Sequence, residues 1–125
     1  MIKQIKSSEI KNFLIDNKNI ELLDVRTQGE WENIGMPDGE NLGLKIHFIT
    51  IVRSPDPAAN KKFIEEVKKM IDPNKDLLVM CKAGGRSMMA SQLLDQEKIN
   101  CINISDGFEG NGEDLGWKKE GLPSK

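Results

Sequence analysis

The sequence predicts an α/β domain built on a largely parallel sheet, because strand-length apolar runs alternate along the chain with segments of helical period. The runs at residues 20–25, 77–80 and 101–104 are short and continuous, as expected of strands buried in a sheet. Between and around them, residues 8–17, 58–71 and 87–96 bring apolar side chains to one helical face. A chain of 125 residues is near the commonest domain size, and no repeat or low-complexity stretch divides it.

Taken in order, the first helix opens near residue 8 with Ser7 as its expected N-cap, and Ile10, Phe13 and Leu14 share one face. Ile20-Glu21-Leu22-Leu23-Asp24-Val25 reads as a buried strand with polar residues near its end. Thr27 is placed to cap a short helical turn that carries Trp31. Gly35-Met36-Pro37-Asp38-Gly39 is rich in turn formers and excludes continuous helix or central strand. Residues 41–52 are apolar without a clean period of either kind, and Ser54-Pro55-Asp56-Pro57 breaks the chain again. Helix returns from residue 58, with Phe63, Ile64, Val67 and Ile71 on one face, until Pro73 ends it.

Leu77-Leu78-Val79-Met80 is the clearest buried strand, and it runs directly into Cys81. A helix with Met89, Leu93 and Leu94 inward follows, then the strand Cys101-Ile102-Asn103-Ile104. Residues 105–116 are polar and glycine-rich, and a short terminal helix brings Trp117 back onto the body.

The bulk properties exclude several function classes. A formal net charge of -2 gives no electrostatic case for nucleic acid or an anionic membrane as partner. No apolar run reaches the roughly 18–20 residues that span a bilayer, and MIKQIKSSEI lacks the apolar core of a signal peptide, so a cytoplasmic protein is expected. Cys81 and Cys101 are too few for a disulfide framework. With His47 the only histidine, no metal site is expected.

The segment that carries chemistry is Cys81-Lys82-Ala83-Gly84-Gly85-Arg86-Ser87. A thiol at the carboxyl end of a buried strand lies at the rim of the sheet, where open α/β folds bind ligands. The helix that begins behind it offers unpaired N–H groups and the positive end of its dipole to an anion. Gly84 and Gly85 let successive N–H groups turn inward, and Arg86 adds a fixed charge with a fork suited to oxyanions. Together these features favour a Cys81 thiolate, since cysteine is acidified at helix amino termini and beside cations. Cys81 is therefore the candidate nucleophile, with Lys82, Ala83, Gly84, Gly85 and Arg86 as the anion-binding loop. The Lys82 ammonium reads equally as a donor-recruiting charge and as an ordinary exposed lysine. Ser87 either caps the helix or bonds the sulfur.

This loop resembles the active-site loop of single-domain rhodaneses, in which a cysteine opens a six-residue loop closed by arginine. Leu22-Leu23-Asp24-Val25-Arg26, Glu30-Trp31 and Gly35 resemble the upstream signature of that family. Ile104-Ser105-Asp106-Gly107-Phe108, Gly116-Trp117 and Gly121-Leu122-Pro123 resemble its closing segment. Gly35-Met36-Pro37-Asp38-Gly39-Glu40-Asn41-Leu42 departs from the family by lacking a histidine, and residues 44–59 match no part of its pattern. The resemblance implies a rhodanese-like fold, a mostly parallel five-stranded sheet with helices on both faces. It also implies a thiosulfate sulfurtransferase-like activity that moves sulfane sulfur through a Cys81 persulfide, with no metal or organic cofactor expected because the persulfide itself carries the group. The donor would be thiosulfate or a persulfide, the acceptor cyanide or a thiol, including a protein thiol.

Two other functions compete. Cysteine phosphatases and arsenate reductases also ring an anion with cysteine and arginine, but the related phosphatases hold five residues between them, against four here. A non-catalytic rhodanese module that only binds a protein usually lacks the cysteine. Supporting roles fall to Asp24 and Arg26. Arg26 is expected to pair with Glu30 across the strand-to-helix turn, and Asp24 to accept from N–H groups near the site. Asp106 reads as a turn former, His47 as packed, Trp31 and Trp117 as core anchors, and Cys101 as a buried structural thiol. Residues 44–59 are where substrate selection is expected.

Overall fold

The computed structural model describes residues 1–51 and 57–125. Five strands, β1 (Lys3–Ile5), β2 (Ile20–Asp24), β3 (Ile46–Phe48), β4 (Asp76–Met80) and β5 (Cys101–Ile104), form one sheet in the order β1-β5-β4-β2-β3, with all neighbours parallel. The helices are α1 (Ile10–Asp16), α2 (Gln28–Asn33), α3 (Pro57–Met70), α4 (Gly85–Gln96) and α5 (Gly116–Lys119). Parallel neighbours require crossovers, and the crossovers put helices on both faces of the sheet.

The alternation of side chains along each strand divides the core in two. Leu22, Leu78, Met80, Ile102 and Ile104 point to one face, where they meet Ile10 and Leu14 of α1 and Trp117 of α5. Leu23, Val25, Leu77, Val79 and Cys81 point to the other, against Phe63 and Val67 of α3 and Ala90 and Leu94 of α4. The strands are apolar on both faces because both faces are covered. Cys81 thus emerges beside α4, at the end of the central strand.

Several expectations are revised. Ser7 does not cap α1: it lies in a 3-10 turn, Ser7–Glu9, and its N–H and hydroxyl both bond Asp106 Oδ1 at 2.9 Å. The buried face of α4 is Ser87, Ala90, Ser91 and Leu94, with Met89 and Leu93 half-buried beside it. Small residues on that face let the helix lie close to the sheet. Strands β1 and β3, three residues each, have no sequence signal long enough to reveal them. Thr27 caps α2 as expected, accepting the Glu30 N–H at 3.3 Å, while Glu30 Oε1 accepts the Thr27 N–H at 3.2 Å. Pro57 opens α3, whereas residues 54–56 of the expected chain break lie outside the described residues, as does part of the 44–59 stretch.

Candidate active site

Strand β4 delivers Cys81 to the carboxyl edge of the sheet, and α4 starts four residues later at Gly85. The turn between them is locked from the side of β5. Phe108 N–H donates to the Cys81 carbonyl at 2.8 Å, and Glu109 N–H to that of Lys82 at 3.0 Å. This approach requires Gly107, whose Cβ would lie 2.4 Å from the Lys82 carbonyl oxygen. Gly84 is required for the same reason: its φ is +103°, and a Cβ there would meet the Ser105 carbonyl oxygen at 2.4 Å.

Cys81 is almost wholly buried, at 1% exposure. Its Sγ lies 3.1 Å from the Gly84 nitrogen, which donates to it, and 3.3 Å from Ser87 Oγ. Of the two glycines expected to turn N–H groups inward, Gly84 makes the bond and Gly85 instead opens α4. Lys82 and Ala83 are exposed at the tip of the turn. Ser87 is fully buried, and its Oγ also lies 3.2 Å from the Gly84 carbonyl and 2.5 Å from Asn103 Oδ1. The alternatives left open for Ser87 resolve in favour of contact with sulfur.

Arg86 reaches across to α2. Its two terminal nitrogens donate to the two carboxylate oxygens of Glu30 at 2.7 and 2.8 Å. The pair explains a cation in the first turn of α4, which the helix dipole disfavours unless an anion stands beside it. Glu30 is held down to about 2, first by the Arg86 hydrogen bonds, against its own burial. The Arg86 guanidinium is pushed up, chiefly by Glu30, with a smaller contribution from Cys81.

The expected Arg26–Glu30 pair is therefore not formed. Arg26 pairs with Asp24 instead, both side chains 0% exposed, with its Nη2 2.8 Å from Asp24 Oδ2. Arg26 Nε and backbone N–H also donate to Asp24, which consequently accepts from Arg26 and not from the N–H groups of the Cys81 turn. A second bond runs from Nη2 to the Gly35 carbonyl, and the guanidinium lies 4.2 Å from the Phe108 ring centroid. Since Phe108 N–H holds the Cys81 carbonyl, the buried pair braces the wall behind Cys81.

The remaining candidates fall away from the sulfur. Asp106 is a buried hub that accepts from Ser7 and from Gly116 N–H, more than a turn former. His47 is bonded to Glu21 at 3.0 Å. Burial alone would raise Glu21, but the Asp72 N–H and His47 outweigh it and hold its carboxyl low. Cys101 pairs in register with Leu77, four residues before Cys81, so the two thiols sit at opposite ends of the sheet. Burial pushes the Cys101 thiol up to about 12. Trp117 is a core anchor, whereas Trp31 is half-buried beside Phe48, ring centroids 5.3 Å apart, at the edge of a groove of about 370 Å³. Among the described residues no three His, Cys, Asp or Glu side chains gather as a metal site. No helix among them is long and apolar enough to cross a membrane.

Two partners escape a motif-based reading. Glu30 is recognisable from the capping box alone, and nothing local links it to Arg86. Asn103 could have been noticed as the polar residue inside an otherwise apolar strand.

Comparison with known proteins agrees with this fold. The sequence profile of the Rhodanese-like domain family matches residues 7–113. The chain is 37% identical to the uncharacterized protein RP600 of Rickettsia prowazekii, covering 98% of this chain and 97% of that one. It is 27% identical to a protein of Allochromatium vinosum named sulfurtransferase, covering 98% and 94%. Among solved structures, Rv0390 from M. tuberculosis superposes with a TM-score of 0.82 at 28% identity, covering 98% and 96%.

Proposed function

Because this chain belongs to the rhodanese-like domain family, we propose that it is a sulfurtransferase that carries sulfane sulfur on Cys81. The observation that carries this reading is the placement of the Cys81 sulfur. It ends the central strand, accepts the Gly84 N–H at 3.1 Å and sits behind the first turn of α4. Those fixed dipoles favour negative charge at sulfur.

The proposed reaction has two displacements. The Cys81 thiolate attacks the outer sulfur of thiosulfate, and the bond to sulfite breaks with its electron pair leaving on sulfite. Cys81 is left as a persulfide anion. An acceptor, cyanide or a thiolate, then attacks the outer sulfur and returns Cys81 as thiolate. Arg86 contributes a nearby positive charge; because Glu30 occupies its fork, it does so without binding the donor bidentately. Asp24 and Arg26 brace the wall, and the electrons balance without metal or organic cofactor. Donor selection is assigned to the stretch 44–59, part of which lies outside the described residues.

The test is incubation with thiosulfate and cyanide, following thiocyanate, with mass spectrometry for one added sulfur atom on Cys81. The parent is expected to form both, and Cys81→Ser neither. Turnover by Cys81→Ser equal to the parent overturns the reading. Hydrolysis of an aryl phosphate without any persulfide would favour a phosphatase instead.

A further inference from the structure

Two groups bond the Cys81 sulfur, and both belong to residues that Asn103 holds. Asn103 lies on β5, one strand away, at 1% exposure. Its Nδ2 donates to the Gly84 carbonyl at 3.3 Å and to Gln4 Oε1 at 3.2 Å. Those two acceptors orient the amide, so its Oδ1 faces Ser87 Oγ at 2.5 Å. An amide oxygen only accepts. The hydrogen in that contact is the serine's.

Ser87 thus has one proton and three acceptors within reach: Asn103 Oδ1, the Gly84 carbonyl and Cys81 Sγ. We propose that Asn103 is a positioning residue that decides whether the Ser87 hydroxyl accepts from the Cys81 sulfur or donates to it. When Cys81 is protonated, its S–H donates to Ser87 Oγ and the Ser87 O–H donates to Asn103, so every hydrogen is used. When Cys81 is a thiolate, sulfur can only accept. Either the Ser87 proton stays on Asn103 and the charged sulfur faces the serine oxygen, or it turns to sulfur and two oxygen atoms face each other with no hydrogen between them. A persulfide carries its charge on the outer sulfur, which releases the Ser87 proton back to Asn103. Asn103 thereby favours the thiol at rest and the loaded persulfide over the bare thiolate.

The charged groups around the loop stay in place when Asn103 is changed. They are Arg86 on α4 with Glu30 on α2, Asp24 and Arg26 at the end of β2, Asp106 after β5, and the exposed Lys82.

Ultraviolet titration of the thiolate in the intact protein reads the effect. The chain has no tyrosine, and Cys101 titrates only at about 12, so absorbance gained at lower pH belongs to Cys81. Asn103→Leu, similar in size but without an acceptor, is expected to move the midpoint down by about 0.5–1 pH unit, roughly three- to tenfold more thiolate at fixed pH. In a Ser87→Ala background the same substitution is expected to move nothing further. An equal shift with and without Ser87, or no shift when Ser87 is present, overturns the proposal. Should Asn103→Leu fail to fold, Asn103→Val suits a strand and is read in the same way. The inference rests on Cys81 as the sulfur carrier, but the titration needs no sulfur donor. The expected titration without any persulfide formation counts against sulfur transfer alone.

Discussion

Arg86 and Glu30 stand 56 residues apart in sequence and meet as a bidentate ion pair, with bonds of 2.7 and 2.8 Å joining the first turns of α4 and α2. The same carboxylate closes the capping box of α2 through Thr27. One side chain therefore ties the strand-to-helix turn after β2 to the loop that follows Cys81. Both side chains are about one-fifth exposed, at 18% and 21%, so the pair is only partly screened by water.

Stability should follow Glu30 in acid. A carboxylate whose folded value lies below its unfolded value stabilises the fold above the unfolded one, and loses that contribution as pH falls through the folded one. Glu30 drops from 4.5 to about 2 on folding. The stability gap between the parent and Glu30→Gln is expected to be constant above pH 4.5 and to close towards pH 2, amounting to about 1–2 kcal/mol at neutrality. Thermal unfolding across that range checks it. A gap independent of pH would remove the ion pair from the account.

Donor binding should respond to the same pair in opposite directions. Arg86→Ala removes the positive charge and leaves the Glu30 carboxylate facing the loop, so the KM for thiosulfate is expected to rise about tenfold or more. Glu30→Gln keeps the shape and unmasks the charge, so KM is expected to fall by about threefold. Arg86→Lys keeps the charge and loses only the paired bonds to Glu30, so its KM should lie nearer the parent than the alanine variant. Steady-state kinetics with thiosulfate varied at saturating cyanide separates the three.

Cys101 should be silent in the chemistry. Its thiol stays protonated well above neutral pH because burial pushes it up to about 12. Register with Leu77 sets it about 13 Å from Cys81 along the strands, far beyond disulfide reach. Cys101→Ala is expected to leave thiocyanate formation within about twofold of the parent and to cost about 1–2 kcal/mol for the small cavity. Peptide mapping after thiosulfate treatment should find the added sulfur on Cys81 alone.

Two glycines with similar φ should differ sharply on substitution. Gly84 and Gly112 have φ of +103° and +94°, but a Cβ at Gly112 meets nothing within 4 Å, whereas one at Gly84 collides with Ser105. Gly112→Ala is expected to cost about 1 kcal/mol, the conformational penalty alone. Gly84→Ala should cost about 3 kcal/mol or more and move the N–H that bonds the Cys81 sulfur. Chemical denaturation of both variants, with sulfur-transfer rates for whichever folds, provides the measurement.

Features of this protein that are written in contiguous residues are legible in the amino-acid sequence. Leu77-Leu78-Val79-Met80 announces a strand with both faces covered, and Cys81 to Ser87 announces a turn that must expose N–H groups, since glycine and the start of a helix are local facts. Thr27 and Glu30 three residues apart announce a helix start for the same reason. Strands β1 and β3 are not legible in this way, because three residues carry no period. They are strands only through the neighbours that accept them.

Pairings across the fold are decided elsewhere. Residues 26 and 30 invite an ion pair by their spacing, yet the strand end turns Arg26 into the core, where Asp24 is the anion at hand and an unpaired buried guanidinium would be costly. That leaves Glu30 at the surface for Arg86. Asn103 likewise acquires its role only when the parallel order β5-β4 brings it beneath the start of α4. The sequence alone is enough for the fold class and for the place of Cys81 at the end of a buried strand, because period, turn chemistry and helix capping act over a few residues. The tertiary structure decided which charge answers Arg86 and which amide orients Ser87, because those bonds join segments whose only connection is their shared place at the sheet's edge.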